Sequence, residues 1–367
     1  MSDKDDNQEG NNDLSIVDHI VGAAVAVGTG LPPQIQRSFW KAVGRIFTAG
    51  AEWPAKMLEG KGRIATARAG VNAARFDAEA ADIRSQQKAR ELVNKESAKI
   101  AARQFASPDL ADRAVEYHAA HIVRNQKRIE EILRIAADDI TKNPPTEDSS
   151  NEIEDDVLET ILREGSRRSS AEFKLLFGRI LSGEIKSPGS FSIGTIQSIG
   201  RLTTETANIF QRLCNISTMM AIPGQTLMPP KVIENPFGQA SQNDLLEVGV
   251  SYDDLAKLAE EGLIRTDFAE RRPFFSQFYI NKIPFEHAGR KFWVAQREAK
   301  DPPDAPDLQL TGPSFSKAGI ELRQVVTMEP SQNYINKLAD WFKTQNLTLY
   351  TVVREEENQL FGEAVRP

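Results

Sequence analysis

The sequence predicts a mainly α protein with long N-terminal helices in a partial coiled-coil pattern, a central short-helix module and a C-terminal winged-helix-like α+β domain. Three observations carry that prediction. No proline interrupts the chain between Pro54 and Pro108, a stretch dominated by the strong helix formers Ala, Arg, Lys, Glu and Gln. Glycines at 178, 183, 189, 194 and 200 chop the middle of the chain into short helices and tight turns. From about Gln242 the pattern changes to two short helices followed by an aromatic, β-prone run at 273–296.

Residues 1–14 (MSDKDDNQEGNNDL) are polar and acidic and are expected to form a disordered tail. They carry neither the basic start nor the cleavage site of a secretory leader, so a cytoplasmic location is expected. The long-helix region is expected over 15–142. Its apolar run Ile20–Leu31 is rich in Gly and well short of the roughly 20 residues that a membrane-spanning helix needs. In the segment 34–47, Ile35, Phe39, Val43, Ile46 and Phe47 fall at helical spacing, while Arg37, Lys41 and Arg45 form a basic row. Residues 32–75 carry a net charge of +6. Two readings stay open: a helix packed on its own domain with a solvated basic edge, or peripheral contact with an anionic membrane surface.

The helix expected from Arg63 to Gln104 repeats Ile64, Val71 and Ala78 every seven residues, with Ala67, Ala74 and Ala81 between them. That narrow seam suits close helix–helix approach, and it fails at Ser85 and Lys88. The expected partner is a protein, either another helix of the chain or a second copy in a homo-oligomer. Ser107-Pro108-Asp109 opens a further helix with a cap, a proline at the first position and an acid in the first turn. It carries Leu110, Ala114, Ile122, Ile129, Leu133, Ala136 and Ile140 toward a core. The Pro-rich polar stretch 143–152 is read as a linker.

In the short-helix module, 153–235, Ser169-x-x-Glu172 is the pattern of a capping box for Phe173–Leu181, and Thr203 is the expected cap of Ala207–Leu213. Cys214 sits at the edge of that last buried face and is read as an inert core thiol. In the winged-helix-like domain, 240–353, Leu245-Leu246 lie on a short helix and Ser251-x-x-Asp254 caps a second one that Gly262 ends. Ala288-Gly289 is a hairpin turn within 273–296. A Pro/Asp linker, a strand at 308–311, helices at 314–326 and 331–344 and a strand at 347–353 follow, and residues 354–367 are expected to fray.

The run Phe177-Gly-Arg-Ile-Leu-Ser-Gly-Glu-Ile-Lys-Ser-Pro-Gly-Ser-Phe-Ser192, continuing to Ile196, Leu202, Thr203, Ala207 and Phe210, resembles an uncharacterised bacterial family, domain of unknown function 2806. Ser182 stands where alanine is usual. More distantly, Leu258–Ile264 and Leu310–Gly319 look like the C-terminal parts of abortive-infection alpha proteins, in which a short helical module also precedes a winged-helix-like unit. The resemblance implies a mostly helical protein of bacterial or prophage origin acting in phage defence. It supplies no catalytic residues.

Composition narrows the chemistry. Hydrophobic residues make up 40% and charged residues 26%, a globular balance. One Cys excludes a disulfide framework and a Cys-based zinc site. No phosphate-binding loop, nucleophile elbow or CxxC is present, and Gly28-Thr-Gly30 runs into two prolines without a third glycine. Glu116-x-His118-x-x-His121 puts two imidazoles one turn apart, without a third ligand nearby, and is read as a solvated helix surface. The expectation is therefore a non-enzymatic interaction, sensor or accessory protein with no cofactor, metal or small-molecule substrate.

A net charge of −7 argues against a protein that coats nucleic acid. It divides into −5 over residues 1–30, +5 over 31–140 and −7 over the rest. Candidate partner-binding residues are Arg37, Lys41 and Arg45, the pair Arg179 and Glu184 in the family-like motif, and Arg271, Arg272, Arg290 and Lys291 around the hairpin. For Arg179 and Glu184 the favoured reading is a salt bridge fixing a corner. The hairpin cations make a DNA-associated regulator the alternative function. It is disfavoured because Tyr252–Glu261, the helix that would enter the major groove, holds four acids against Lys257.

Overall fold

The computed structural model describes residues 108–144, 152–220, 228–274, 277–296, 308–356 and 359–366, together with Ile35, Ser38, Phe39, Lys41 and Ala42. The acidic tail, the Ile20–Leu31 run, the coiled-coil seam at 63–104, Arg37 and Arg45 lie outside these residues. The chain divides into two compact units, Met1–Ser190 and Phe191–Pro367.

The N-terminal unit is helical. Helix α1 (Pro108–Lys142) is followed by α2 (Asp155–Ser166) and α3 (Ala171–Lys186), and the three pack on one another. The C-terminal half of α1 buries Ile132, Leu133, Ala136, Ala137 and Ile140, a stripe at helical spacing. Opposite it lie Leu158 and Ile161 of α2 and Phe177, Ile180 and Leu181 of α3. Helices α1 and α2, on either side of the 143–152 stretch, both belong to the first unit, which ends at Ser190 after α3. Ala114 and Ile122, expected in the core, are exposed. The reason is length: α2 and α3, of 12 and 16 residues, cover about half of a 35-residue helix.

Helix α3 starts one residue later than the capping-box pattern predicts. Ser170 is the cap, and its hydroxyl accepts from the Phe173 amide at 3.4 Å. Gly178, at the centre of the unit, serves close approach. A Cβ on Gly178 would lie 2.5 Å from Ile135 Cγ2 and 2.7 Å from Ile135 Cβ, so α1 and α3 touch backbone to side chain there.

The C-terminal unit is mixed. Helices α4 (Ile193–Ile199) and α5 (Thr204–Asn215) lead into β1 (Thr218–Met220), 3₁₀ turns at Ala240–Gln242 and Asp244–Val248, and α6 (Tyr252–Glu260). Then come β2 (Arg271–Phe274), α7 (Gln277–Ile280), β3 (Phe285–His287), β4 (Arg290–Gln296) and β5 (Leu308–Thr311). Helices α8 (Lys317–Arg323) and α9 (Gln332–Thr344) and strands β6 (Leu347–Glu356) and β7 (Gln359–Ala364) complete it. Ser192, Thr203, Ser316 and Ser331 each accept a backbone N–H at a helix start. Ser251 and Asp254 form the reciprocal capping box that their spacing predicts.

The strands form a five-stranded antiparallel sheet, β1-β3-β4-β6-β7, and a two-stranded sheet, β2-β5. The hairpin turn at Ala288-Gly289 is present, with φ of 46° and 77°, both in the left-handed region that a two-residue hairpin loop requires. The hairpin is shorter than expected, because β2 pairs with β5 and α7 separates it from β3. Both its strands have outer neighbours, so it lies inside a sheet rather than projecting. The C-terminus is ordered as well. β6 runs to Glu356 and β7 returns along it, with Arg354 stacked 4.9 Å over Phe361.

The close approach at Gly178 gives a paired expectation. Gly178→Ala should lower the unfolding free energy by about 1–3 kcal/mol through overpacking, against any gain in helix propensity. Gly194→Ala, in α4 with no heavy atom within 4 Å of the added Cβ, should raise it by about 0.5–1 kcal/mol. Urea denaturation of the two variants reads both signs.

Candidate functional site

The family-like motif is built into structure. Glu184 is fully buried, and its carboxylate accepts the Gly189 N–H at 2.9 Å, closing the turn that follows α3. Arg179 is half-buried on the same helix. Ser182 donates to the carboxylate of Asp139 on α1, which also takes Lys186 Nζ at 2.7 Å and Asn143 Nδ2 at 3.0 Å. Burial raises the Asp139 pKa, but the hydrogen bonds from Lys186 and Ser182 outweigh it and hold the carboxyl below its usual range. The Ser182 hydroxyl thus ties α3 to α1. Ser192 caps α4 and donates from its N–H and Oγ to Glu321 of α8, at 2.7 and 3.0 Å.

The basic candidates separate. Ile35, Phe39 and Ala42 are buried in the N-terminal unit, and Lys41 beside them donates to the Ile153 carbonyl at 2.9 Å and pairs with Asp155 at 2.9 Å. That lysine fixes the entry to α2. Arg271 and Arg272 stand on the β2-β5 sheet, and Arg290 and Lys291 on the five-stranded one. Arg272 is buried, donates to the Pro229 carbonyl at 2.7 Å and lies 4.0 Å from Glu270. Lys291 pairs with Glu355 on β6 at 2.7 Å. Arg271 and Arg290 are exposed, Arg290 lying 5.5 Å over the Phe292 ring. On α1, His118 and His121 are exposed, and His121 is held by Asn125 at 2.9 Å and stacked on Tyr117. Among the described residues no group of three or more His, Cys, Asp or Glu side chains is placed to hold a metal ion. No helix among them is long and apolar enough to cross a membrane.

The exposed surface of α6 is acidic apart from Lys257. Asp253 and Glu260 face solvent beside Tyr252, whose ring meets Phe268 edge-on at 5.6 Å. Lys257, the basic residue of the helix, pairs with Glu205 of α5 at 2.6 Å. Asp254 is engaged in the cap and reached by Arg212 at 3.5 Å.

The sequence reading missed the buried ionisable groups of the C-terminal unit. Lys231, 1% exposed, sends its ammonium to the carbonyls of Glu270 and Gly312 and, at 3.4 Å, to Ser314 Oγ. Burial pulls its pKa down to about 8, with Glu270 opposing the shift. His287 and Arg323 both hang on Ser217. The imidazole Nδ1 donates to the Ser217 carbonyl at 3.0 Å, and Arg323 Nε donates to the Ser217 hydroxyl at 3.0 Å. His287 Nε2 and one Arg323 terminal nitrogen are buried without a hydrogen-bond partner among the described residues. Burial pushes the His287 pKa down to about 4, with Arg323 and Arg290 acting in the same direction and the Ser217 bond opposing. Burial also pushes the Cys214 thiol up, so it stays protonated and unreactive, as its place on the apolar face predicts. None of these groups lies in a local motif; each is buried by a segment far away in the chain.

His287 gives a signed expectation. Its pKa is lower folded than the usual 6.5, so between about pH 6.5 and 4 the unfolded chain binds more protons. The stabilisation present above pH 6.5 is therefore lost as the pH falls through this window, on the order of 3 kcal/mol in all. Chemical denaturation at stepped pH should show this slope, and His287→Gln, which keeps a donor for Ser217 but does not titrate, should flatten it between pH 6.5 and 5.

The model of the family described as protein of unknown function (DUF2806) matches residues 112–339. No curated protein and no solved structure matches the chain. The family match spans more than half of the 367 residues and includes Gly178, Ser182, Glu184 and Ser192, the residues that close the α3 corner and cap α4, and on that extent the chain belongs to the DUF2806 family.

Proposed function

We propose that this chain is a non-enzymatic interaction protein whose C-terminal unit uses a winged-helix-like arrangement to recognise a basic protein surface. Support for the winged-helix reading comes from chain order. Helix α5, the 3₁₀ turn at Asp244–Val248 and α6 are followed by a ladder in which Ile264 pairs with Phe315 and β2 with β5, and Lys231, from ahead of the 3₁₀ turn, pairs with Ser314, all antiparallel. On this reading the excursion between β2 and β5 takes the place of the wing.

The observation that carries the recognition reading is the charge of α6. The helix that would enter a DNA groove offers Asp253, Glu260 and Tyr252 to solvent while its lysine is neutralised by Glu205. Phosphates are repelled by such a surface, whereas lysine- and arginine-rich protein segments are attracted to it. DNA contact would rest on Arg271 and Arg290, with Arg272 buried and Lys291 paired.

Fluorescence anisotropy with a lysine/arginine-rich helical peptide and with a DNA duplex of equal length separates the two. The expected outcome is salt-sensitive peptide binding that Asp253→Lys with Glu260→Lys abolishes, and no binding of the duplex at low salt. Retention of the duplex by the natural chain, lost in Arg271→Ala with Arg290→Ala, would overturn the proposal in favour of a DNA-associated regulator.

Phage defence is the setting we propose, on the likeness of Leu258–Ile264 and Leu310–Gly319 to abortive-infection alpha proteins. Cells expressing the chain should plate a phage panel at reduced efficiency, and the Asp253→Lys, Glu260→Lys variant should restore plaques. Equal plating with and without the protein would remove this setting.

A further inference from the structure

We propose that Arg323 and His287 form a buried binding site for one small oxyanion that carries its own hydroxyl, of the hydrogen phosphate or bicarbonate type. The two side chains come from α8 and β3, and both are anchored on Ser217, just ahead of β1. His287 is fully buried and Arg323 is 6% exposed. Arg323 Nε donates to the Ser217 hydroxyl, yet Arg323 Nη2 and His287 Nε2 are buried with no hydrogen-bond partner among the described residues. The groups around them are committed elsewhere. Ser217 Oγ donates to the Cys214 carbonyl at 2.8 Å, and the Tyr334 hydroxyl, whose ring stacks on His287, is held by the Ile233 backbone. Glu321, on the same helix as Arg323, accepts the Ser192 N–H and hydroxyl and lies 3.8 Å from Lys317. A guanidinium removed from water in this way is costly unless an anion accompanies it.

The placement of protons selects the kind of ion. A carbonyl only accepts, so the bond to Ser217 puts the ring hydrogen on Nδ1, and the neutral imidazole then carries a lone pair on Nε2. Burial, and after it the charge of Arg323, keeps the ring neutral. Ser217 therefore holds together a cationic donor and a neutral acceptor. Chloride or sulfate would satisfy the guanidinium but turn lone pairs toward Nε2. A hydroxylated oxyanion accepts from Arg323 and donates its own proton to Nε2, so both groups are satisfied at once. This site uses none of the residues of the recognition face on α6, and the failure of either proposal leaves the other standing.

The test is isothermal titration calorimetry of the full chain with sodium phosphate at neutral pH and constant ionic strength, beside thermal unfolding in the same buffers. The expected result is one phosphate bound per chain. The melting temperature should rise with phosphate or bicarbonate and stay unchanged in chloride or sulfate of equal ionic strength. Arg323→Gln, which removes the charge and keeps an amide donor, should weaken phosphate binding at least about tenfold and erase the phosphate-dependent rise. The choice among anions is read on the natural chain alone, so it stands whatever the variant does to folding. Absence of phosphate binding by the natural chain, an equal response to sulfate, or undiminished binding in Arg323→Gln would each overturn the proposal.

Discussion

The C-terminal unit is organised around one buried cation. Lys231 joins three segments at once: its backbone exchanges hydrogen bonds with Thr218 at 2.8 and 2.9 Å, and its ammonium reaches the carbonyls of Glu270 and Gly312. Desolvating an ammonium costs several kcal/mol unless dipoles surround it, and here main-chain carbonyls provide them. Those carbonyls in turn have a donor at a place where water does not reach. The neighbouring ladder continues outward from this point, with Val232 donating to Pro313 at 3.0 Å, Arg265 to Ser314 at 2.9 Å and Ser316 to Leu263 at 3.1 Å. Because Leu263 directly follows the turn that ends α6, the position of that helix is set by the strands that Lys231 holds together.

The N-terminal unit solves its packing by different means. Its interior is a helix-on-helix contact in which Gly178 allows close approach, and the Asp139 cluster fixes the register of α3 on α1. The two hydrogen bonds from Ser182 and Lys186 of α3 to one carboxylate of α1 specify a single alignment of the two helices, which apolar packing alone would leave less defined. Lys41 does comparable work at the start of α2, where Asp155 and Asp156 already favour the helix dipole. The two units thus rely on charge in opposite senses, a half-buried anion gathering donors in one and a buried cation gathering carbonyls in the other.

Local chemistry made much of the fold legible. The caps at Thr203, Ser251 and Ser192, the Ala288-Gly289 turn, and the late helices and strands all follow from patterns a few residues long. What the sequence did not reveal is non-local. The run at 273–296 is β-prone throughout, and only the availability of β5 and β6 as partners decides that it splits between two sheets. Residues 354–367 lack strong apolar character, yet β7 gains order by pairing with β6. The candidate site was legible in its charge, since the acids of α6 are plain in the sequence. Its accessibility was not, because Arg272 and Lys41 are equally plain and are consumed by contacts with Pro229, Ile153 and Asp155.

Tyr334 on α9 carries a consequence for synthesis. Its hydroxyl accepts the Ile233 N–H at 2.8 Å, 101 positions earlier in the chain, and its ring stacks on His287 and Phe237. The Lys231 ammonium likewise waits for Gly312, 81 positions later. Loop closure on this scale is slow, and it cannot begin until the distant segment exists. Helices α1 to α3 meet one another within a short span of sequence and are complete before translation reaches β1. A nascent chain therefore leaves the ribosome with its N-terminal unit packed and its Lys231 segment still without partners, and the second unit closes only when α9 has emerged.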